Sequence, residues 1–236
     1  MVIDDFKIKI RAKKIPVNIN NHIIEYIQDL TLQNNHLQCE IFFKEKLVAQ
    51  GIILDFYKEF EINENHFTHI LTFEYNGREY QSYTRFGKMI YEMKYLKNPS
   101  IEREKRELYI NEIVSHFNGY INHLKENYDN LNITFIPSSS LLPDEIADKL
   151  SIINTLPLKE IISKNSQVAS KTLTTLSGQS LNKYIVDLSD LNTDDNFILI
   201  DDVMGTCASL CETMYDLYHF NERINFFFIP VKDVKR

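Results

Sequence analysis

Cysteine is scarce in this chain of 236 residues: Cys39, Cys207 and Cys211 are the only three. They are too few and too unevenly spaced for a disulfide framework or a four-ligand zinc site, so they are expected as reduced thiols of a cytoplasmic protein. Long apolar runs are missing as well. No stretch approaches the roughly 18 residues of a membrane span, and the opening residues, with Asp4 and Asp5 among alternating charges, lack the apolar core of a signal peptide. No membrane association is therefore expected. A basic surplus is also absent: 26 Lys and Arg against 33 Asp and Glu leave a net charge of −7. That balance argues against broad electrostatic binding to nucleic acid, although local basic patches at residues 7–14 and 103–106 do not exclude it. With only six glycines, no pair supplies the spacing of a Walker phosphate loop; Gly87-Lys88 is followed by Met89 and lacks its partner glycine.

The composition, 44% apolar and 25% charged, is that of an ordinary globular protein able to bury a sizeable core. The length suits one large domain or a modest domain with a smaller attachment. No internal repeat or low-complexity tract is evident. Residues 1–85 alternate apolar and polar side chains, with strands expected at 41–43, 51–56 and 69–75 and one helix near 21–32. Tyr75-Asn76-Gly77-Arg78 reads as a hairpin, because Asn-Gly accepts the positive φ angles of a two-residue turn. This part is expected to be a small β-rich extension of unassigned role, suited to contact with a protein partner.

From residue 86 the spacing becomes helical, with apolar stripes through Ile90, Met93, Leu108, Ile113, Val114 and Phe117, and Pro99 dividing two helices. The charge run at 102–107 reads as a solvated helical face. Strands at 133–136, 184–187, 197–200 and 224–229 then alternate with helices at 143–150 and 208–218. Such alternation predicts an α/β fold, a parallel sheet flanked by helices, over residues 86–236. A polar stretch at 163–182, rich in Ser, Thr, Lys, Gln and Asn, is expected to be a functional or mobile loop. The seven histidines offer no metal-like pair with a third ligand.

The most informative segment is Phe197-Ile198-Leu199-Ile200-Asp201-Asp202-Val203-Met204-Gly205-Thr206-Cys207-Ala208-Ser209. Four apolar residues make a buried strand, two carboxylates stand at its carboxyl end, and small and hydroxyl residues open a helix. In open α/β sheets, ligands bind in the crevice beyond the carboxyl ends of the strands. Backbone N–H groups at the helix start, with the hydroxyls of Thr206 and Ser209, suit a phosphate. Adjacent carboxylates suit the vicinal hydroxyls of a ribose, or a Mg²⁺ held through water. Ser138, Ser139 and Ser140, after the strand at 133–136, are read either as pyrophosphate ligands or as caps of the next helix. Cys207 is read as a small buried space-filler rather than a reactive thiol, and Lys94 and Tyr95 as the wet rim of an amphipathic helix rather than as substrate contacts.

The acidic strand and its loop resemble the phosphoribosyl pyrophosphate (PRPP) signature of type I phosphoribosyltransferases, in which two acids precede a Thr-Thr-Gly-x-Thr phosphate loop. Upstream, Ile133-Thr134-Phe135-Ile136-Pro137-Ser138-Ser139-Ser140 is similar to the first core strand and pyrophosphate loop of that family, and Leu156-Pro157-Leu158 to the exit of the following helix. Gln167, Leu176 and Asn182 fall where the ComF-like branch has its flexible loop. Ile90-Tyr91-Glu92-Met93-Lys94-Tyr95 resembles the Lys-Tyr helix before that branch's core. The resemblance covers about 150 residues and departs from the family in three places. The branch's Cys-rich zinc ribbon is missing, so no protein-bound metal is expected. Cys207 replaces the loop glycine and resists the positive φ that glycine accepts. The flexible loop keeps Lys164, Lys171 and Lys183 but none of the family's arginines.

The resemblance implies a ribose 5-phosphate ligand, PRPP or a nucleotide, with Mg²⁺ accompanying PRPP. It implies transfer of a phosphoribosyl group or cleavage of an N-glycosidic bond. Asp201 and Asp202 would hold the ribose, Gly205, Thr206, Cys207, Ala208 and Ser209 the 5-phosphate, and Ser138, Ser139 and Ser140 the pyrophosphate. The alternative is a catalytically degenerate subunit on the same fold that senses a nucleotide or supports a complex.

Overall fold

The computed structural model describes residues 10–11, 15–19, 22–33, 36–43, 46–63, 66–95, 99–165, 183–205 and 207–233. Five strands come first: β1 (Ile10–Arg11), β2 (Ile15–Ile19), β3 (His22–Gln33), β4 (His36–Phe43) and β5 (Lys46–Phe56). Two hairpins follow, β6 (Phe60–Asn63) with β7 (His66–Ile70), and β8 (Thr72–Tyr75) with β9 (Arg78–Gln81). The remaining elements are α1 (Arg85–Tyr95), α2 (Pro99–Asn127), β10 (Leu131–Phe135), α3 (Leu142–Asn154), β11 (Ile162–Lys164), β12 (Tyr184–Val186), β13 (Asn196–Ile200), β14 (Val203–Met204), α4 (Ala208–Asn221) and β15 (Asn225–Lys232).

Nine strands form one mixed sheet in the order β1-β3-β4-β5-β15-β13-β10, with β14 added to β15 and β2 to β3. The four strands β5, β15, β13 and β10 are mutually parallel, and the strands from β5 outward to β1 are antiparallel. Each strand of the parallel part offers side chains to both faces, so it reads as a nearly unbroken apolar run. All five residues of β13 are buried. Phe197, Leu199, Phe227 and Ile229 join one core with α4 residues Leu210, Met214 and Leu217. Ile198, Ile200, Phe226 and Phe228 join a second core with α1, α2 and α3. On α2 the stripe Ile110, Ile113, Val114, Phe117, Ile121 and Leu124 is buried, the three-and-four spacing of one helical face. The result is three layers: α1, α2 and α3 on one side, the sheet, and α4 on the other.

Two features differ from the sequence expectation. The helix read near 21–32 is a strand, β3, paired antiparallel with β4 from Tyr26↔Phe43 to Gln33↔His36. Its apolar residues fit either period, and its β-branched content together with an available partner strand favours the sheet. The β-rich first part is also not set apart at residue 86. Its fifth strand lies inside the sheet, with β5 paired to β15 from Ala49↔Asn225 to Phe56↔Lys232. The hairpin at Asn76-Gly77 forms as read, with φ of 53° and 70°.

Helix α1 is seated on the carboxyl end of β5. Thr84 acts as its cap, its Oγ1 accepting the Gly87 N–H at 3.0 Å while its hydroxyl donates to the Phe56 carbonyl. Gly87 is required for close approach, because a Cβ there would stand 1.9 Å from the Tyr57 carbonyl oxygen. Tyr57, Tyr83, Tyr91 and Tyr95 follow one another beside it, edge-to-face, stacked and tilted in turn, with centroid separations of 5.3, 4.8 and 5.3 Å.

Candidate functional site

The parallel register brings two chain segments to one edge. Phe135 lies opposite Ile200, and the Ile136 N–H donates to the Ile200 carbonyl at 2.9 Å. The residues that follow each strand, Ser138, Ser139 and Ser140 on one side and Asp201 and Asp202 on the other, therefore emerge side by side. After Asp202 the chain runs along β15 as β14, with Val203 opposite Val231 and Met204 opposite Lys232, before opening α4. The outcome is a cleft of about 560 Å³ lined by Ser138, Ser139, Asp201, Asp202, Ser209 and Tyr184, with Lys164, Asn165 and Lys183 on its margin.

Asp202 is the most heavily engaged group. Its Oδ2 accepts from the Ser140 hydroxyl at 2.9 Å and the Ser138 hydroxyl at 3.2 Å. The same atom pairs with the Lys94 ammonium at 2.8 Å, with the Asp202 side chain 6% and the Lys94 side chain 21% exposed. Asp201 follows differently: its Oδ1 accepts the Asp202 backbone N–H at 2.8 Å. Burial, and then the neighbouring charge of Asp202, raise the Asp201 carboxyl above the usual carboxylate range. The two carboxyls thus have unlike surroundings, one paired with an ammonium and the other raised by burial and by its neighbour.

The loop at the start of α4 is built around an unusual backbone. Cys207 is its amino-terminal cap residue at φ 69° and ψ 0°, with no side-chain cap bond, so the left-handed position expected of glycine is taken by cysteine. Its thiol is buried 3.7 Å from that of Cys211. Gly205 carries no positive φ; its carbonyl accepts the Lys232 ammonium at 2.5 Å. Burial lowers the Lys232 pKa, and the ammonium sits behind the loop. Thr206 lies outside the described residues. Ala208 opens the helix, and the Ser209 hydroxyl bonds Tyr184, whose phenol is pushed up to about 12 by burial and then by the charge of Asp201.

Two participants, Arg106 and Glu212, carried no usable signal in the sequence, and a third, Lys94, stands in the segment that resembles the Lys-Tyr helix. Arg106, within the run read as a solvated face, is instead a clamp: Nε donates to Glu145 Oε2 at 2.7 Å, Nη1 to the Met93 carbonyl at 2.9 Å and Nη2 to the Ser140 carbonyl at 2.9 Å. It fixes the last turn of α1, the serine loop and α3 relative to one another. Lys94, read as wet rim, faces Asp202. Glu212, buried on α4, accepts the backbone N–H groups of Tyr184 and then Lys183, and burial raises it to about 7. Of the polar stretch at 163–182, residues 163–165 are described and 166–182 are not; Lys164, at its start, and Lys183, just after it, reach the cleft on the antiparallel pair β11 and β12.

Asp202 Oδ2 already carries an ammonium and two hydroxyls, and no group of three or more His, Cys, Asp or Glu converges among the described residues. Nor is any helix among them long and apolar enough to cross a membrane.

Neither a protein-family profile nor a curated protein matches this sequence. Among solved structures, an adenine phosphoribosyltransferase is similar over 70% of this chain and 85% of its own, at 12% identity and a TM-score of 0.41. A likeness that loose says nothing of ligand or chemistry.

Proposed function

We propose that the cleft binds a ribose 5-phosphate ligand, PRPP or a nucleotide, on a phosphoribosyltransferase-like fold, and that it transfers the phosphoribosyl group or cleaves an N-glycosidic bond. The observation that supports this reading is the convergence of Asp201, Asp202, Ser138, Ser139 and Ser209 on one cleft at the carboxyl ends of parallel strands. In either reaction the bond from the anomeric carbon breaks, its electron pair leaves on pyrophosphate or base, positive charge develops on the ribose, and an acceptor nitrogen in the transfer or a water in the cleavage forms the new bond and gives up its proton. Asp201 and Asp202 accept hydrogen bonds from the ribose hydroxyls. The first-turn N–H groups of α4, with the Ser209 hydroxyl, face the 5-phosphate. Ser138 and Ser139 line the same cleft beside Asp202, and Lys164 and Lys183, which line it from β11 and from the residue before β12, meet the charge gathering on the leaving group.

Calorimetric titration with PRPP and with nucleoside monophosphates tests the assignment. The wild-type chain should bind, and the double substitution Asp201→Asn with Asp202→Asn should abolish binding. Unchanged affinity in that variant would reject the site.

A second reading, a nucleotide-sensing or assembly subunit, draws on Cys207, which puts a buried thiol where a phosphate loop ordinarily has bare backbone. The two readings share the binding step and separate on turnover. Pyrophosphate release from PRPP in the presence of purine or pyrimidine acceptors favours the enzyme, and tight binding without release favours the sensor.

A further inference from the structure

We infer that the Lys94 ammonium takes the place of a divalent cation in this cleft, so that the sugar phosphate binds without Mg²⁺; this rests on the ribose-phosphate reading above. Three observations lead there. Lys94 Nζ lies 2.8 Å from Asp202 Oδ2, and the hydroxyls of Ser140 and Ser138 fill the space around the same oxygen at 2.9 and 3.2 Å. Mg²⁺ demands near-ideal octahedral oxygen geometry at about 2.0–2.1 Å, and an oxygen already holding an ammonium and two hydroxyl donors offers it no place. The ammonium is also delivered by a rigid mount. The amino end of α1 is fixed by Thr84 and by the close contact of Gly87 with Tyr57. Its last turn is held by Arg106, which bonds the Met93 carbonyl and the Ser140 carbonyl at 2.9 Å each. One guanidinium thus fixes both Lys94 and one of the serines that share its carboxylate.

Such a mount holds an ammonium against Asp202, the cleft-lining acid that receives the ribose. A lysine is a compact point charge with three donors, so after satisfying Asp202 it retains N–H groups for an anionic oxygen of the ligand. The metal-bridged neutralisation that PRPP otherwise requires is then supplied from α1.

The experiment is calorimetric titration of PRPP into the full chain, once with excess EDTA and once with millimolar Mg²⁺, for the wild type and for Lys94→Gln. The wild type is expected to bind equally well in both buffers, within about threefold. Lys94→Gln is expected to lose about tenfold or more in EDTA, the scale of one charge-assisted contact, and to recover part of that loss with Mg²⁺. A wild type that binds PRPP only with Mg²⁺ overturns the inference while leaving the ribose-phosphate site standing, and it does so even if the variant fails to fold. Lys94→Gln binding like the wild type in EDTA also overturns it. Absence of PRPP binding in every condition removes the ribose-phosphate reading itself.

Discussion

Cys207 gives the most direct test of the loop's construction, because one residue combines backbone strain with buried packing. A left-handed α conformation costs an L-residue about 1–2 kcal/mol, and Cys207 holds it at φ 69° while only 4% exposed. Replacing it by alanine keeps the strain and removes the sulfur, a loss of about 1 kcal/mol or somewhat more on the scale of buried-atom deletions. Glycine removes the strain, but it adds about 0.5–1 kcal/mol of backbone entropy and gives up one further buried carbon, about 0.8 kcal/mol. The step from alanine to glycine should therefore come out close to zero, within about 1 kcal/mol. At a buried position with ordinary helical angles, the same step lacks the strain relief and costs about 1.5–2 kcal/mol. Urea denaturation of Cys207→Ala and Cys207→Gly, compared at equal slope, measures the difference. If Cys207→Gly is less stable than Cys207→Ala by 1.5 kcal/mol or more, on the order of that ordinary cost, the left-handed cap is not what the loop relies on.

The remaining predictions concern the scaffold around the cleft. Arg106→Met removes three bonds at once and leaves two partly buried carbonyls unmet. It should cost about 2 kcal/mol and weaken PRPP binding; a urea midpoint equal to the wild type would dismiss the clamp. Gly87→Ala would place a Cβ 1.9 Å from the Tyr57 carbonyl oxygen, whereas Gly119→Ala meets nothing within 4 Å. The first should destabilise by about 1–3 kcal/mol and the second should be neutral or slightly stabilising, with thermal melts of the pair deciding. Glu212, raised from 4.5 to about 7, binds its proton more tightly folded than unfolded, so its contribution to stability is lost as pH rises from about 4.5 through 7. Glu212→Gln should gain on the wild type across that window, by about 3 kcal/mol at the very most. A difference that stays constant from pH 5 to pH 8 contradicts the assignment.

The strand-to-acid segment was legible because its information is local. Four consecutive apolar residues, Phe197 to Ile200, and the carboxylates after them announce a central parallel strand, which the structure buries throughout, and the parallel topology then dictates which edge Asp201 and Asp202 occupy. The hairpin at Asn76-Gly77 was legible for the same reason. What stayed hidden depends on non-local pairing. The residues of β3 fit two periodicities, and only β4 decides between them. Lys94 and Arg106 sit on helices whose polar faces look alike in sequence. Whether such a face meets solvent or a carboxylate depends on how α1 and α2 lie against the serine loop. Cys207 marks a different gap: its type argues against positive φ, yet surrounding packing holds it there.

These hidden contacts change how the first 85 residues bear on the cleft. A β-rich extension of separate role would leave the site intact if it were moved or lost, but β5 is the inner neighbour of β15, and Ile52, Ile53 and Leu54 are buried in the two cores that flank the parallel strands. Its carboxyl end does more than pack. The Phe56 carbonyl receives the Thr84 hydroxyl, and the Tyr57 carbonyl sets the close approach of Gly87. Those contacts aim α1 so that Lys94 reaches Asp202. The charge balance of the cleft is thereby set by a strand far from the acidic segment in sequence, and a substitution along β5 should alter ligand affinity through the placement of one ammonium.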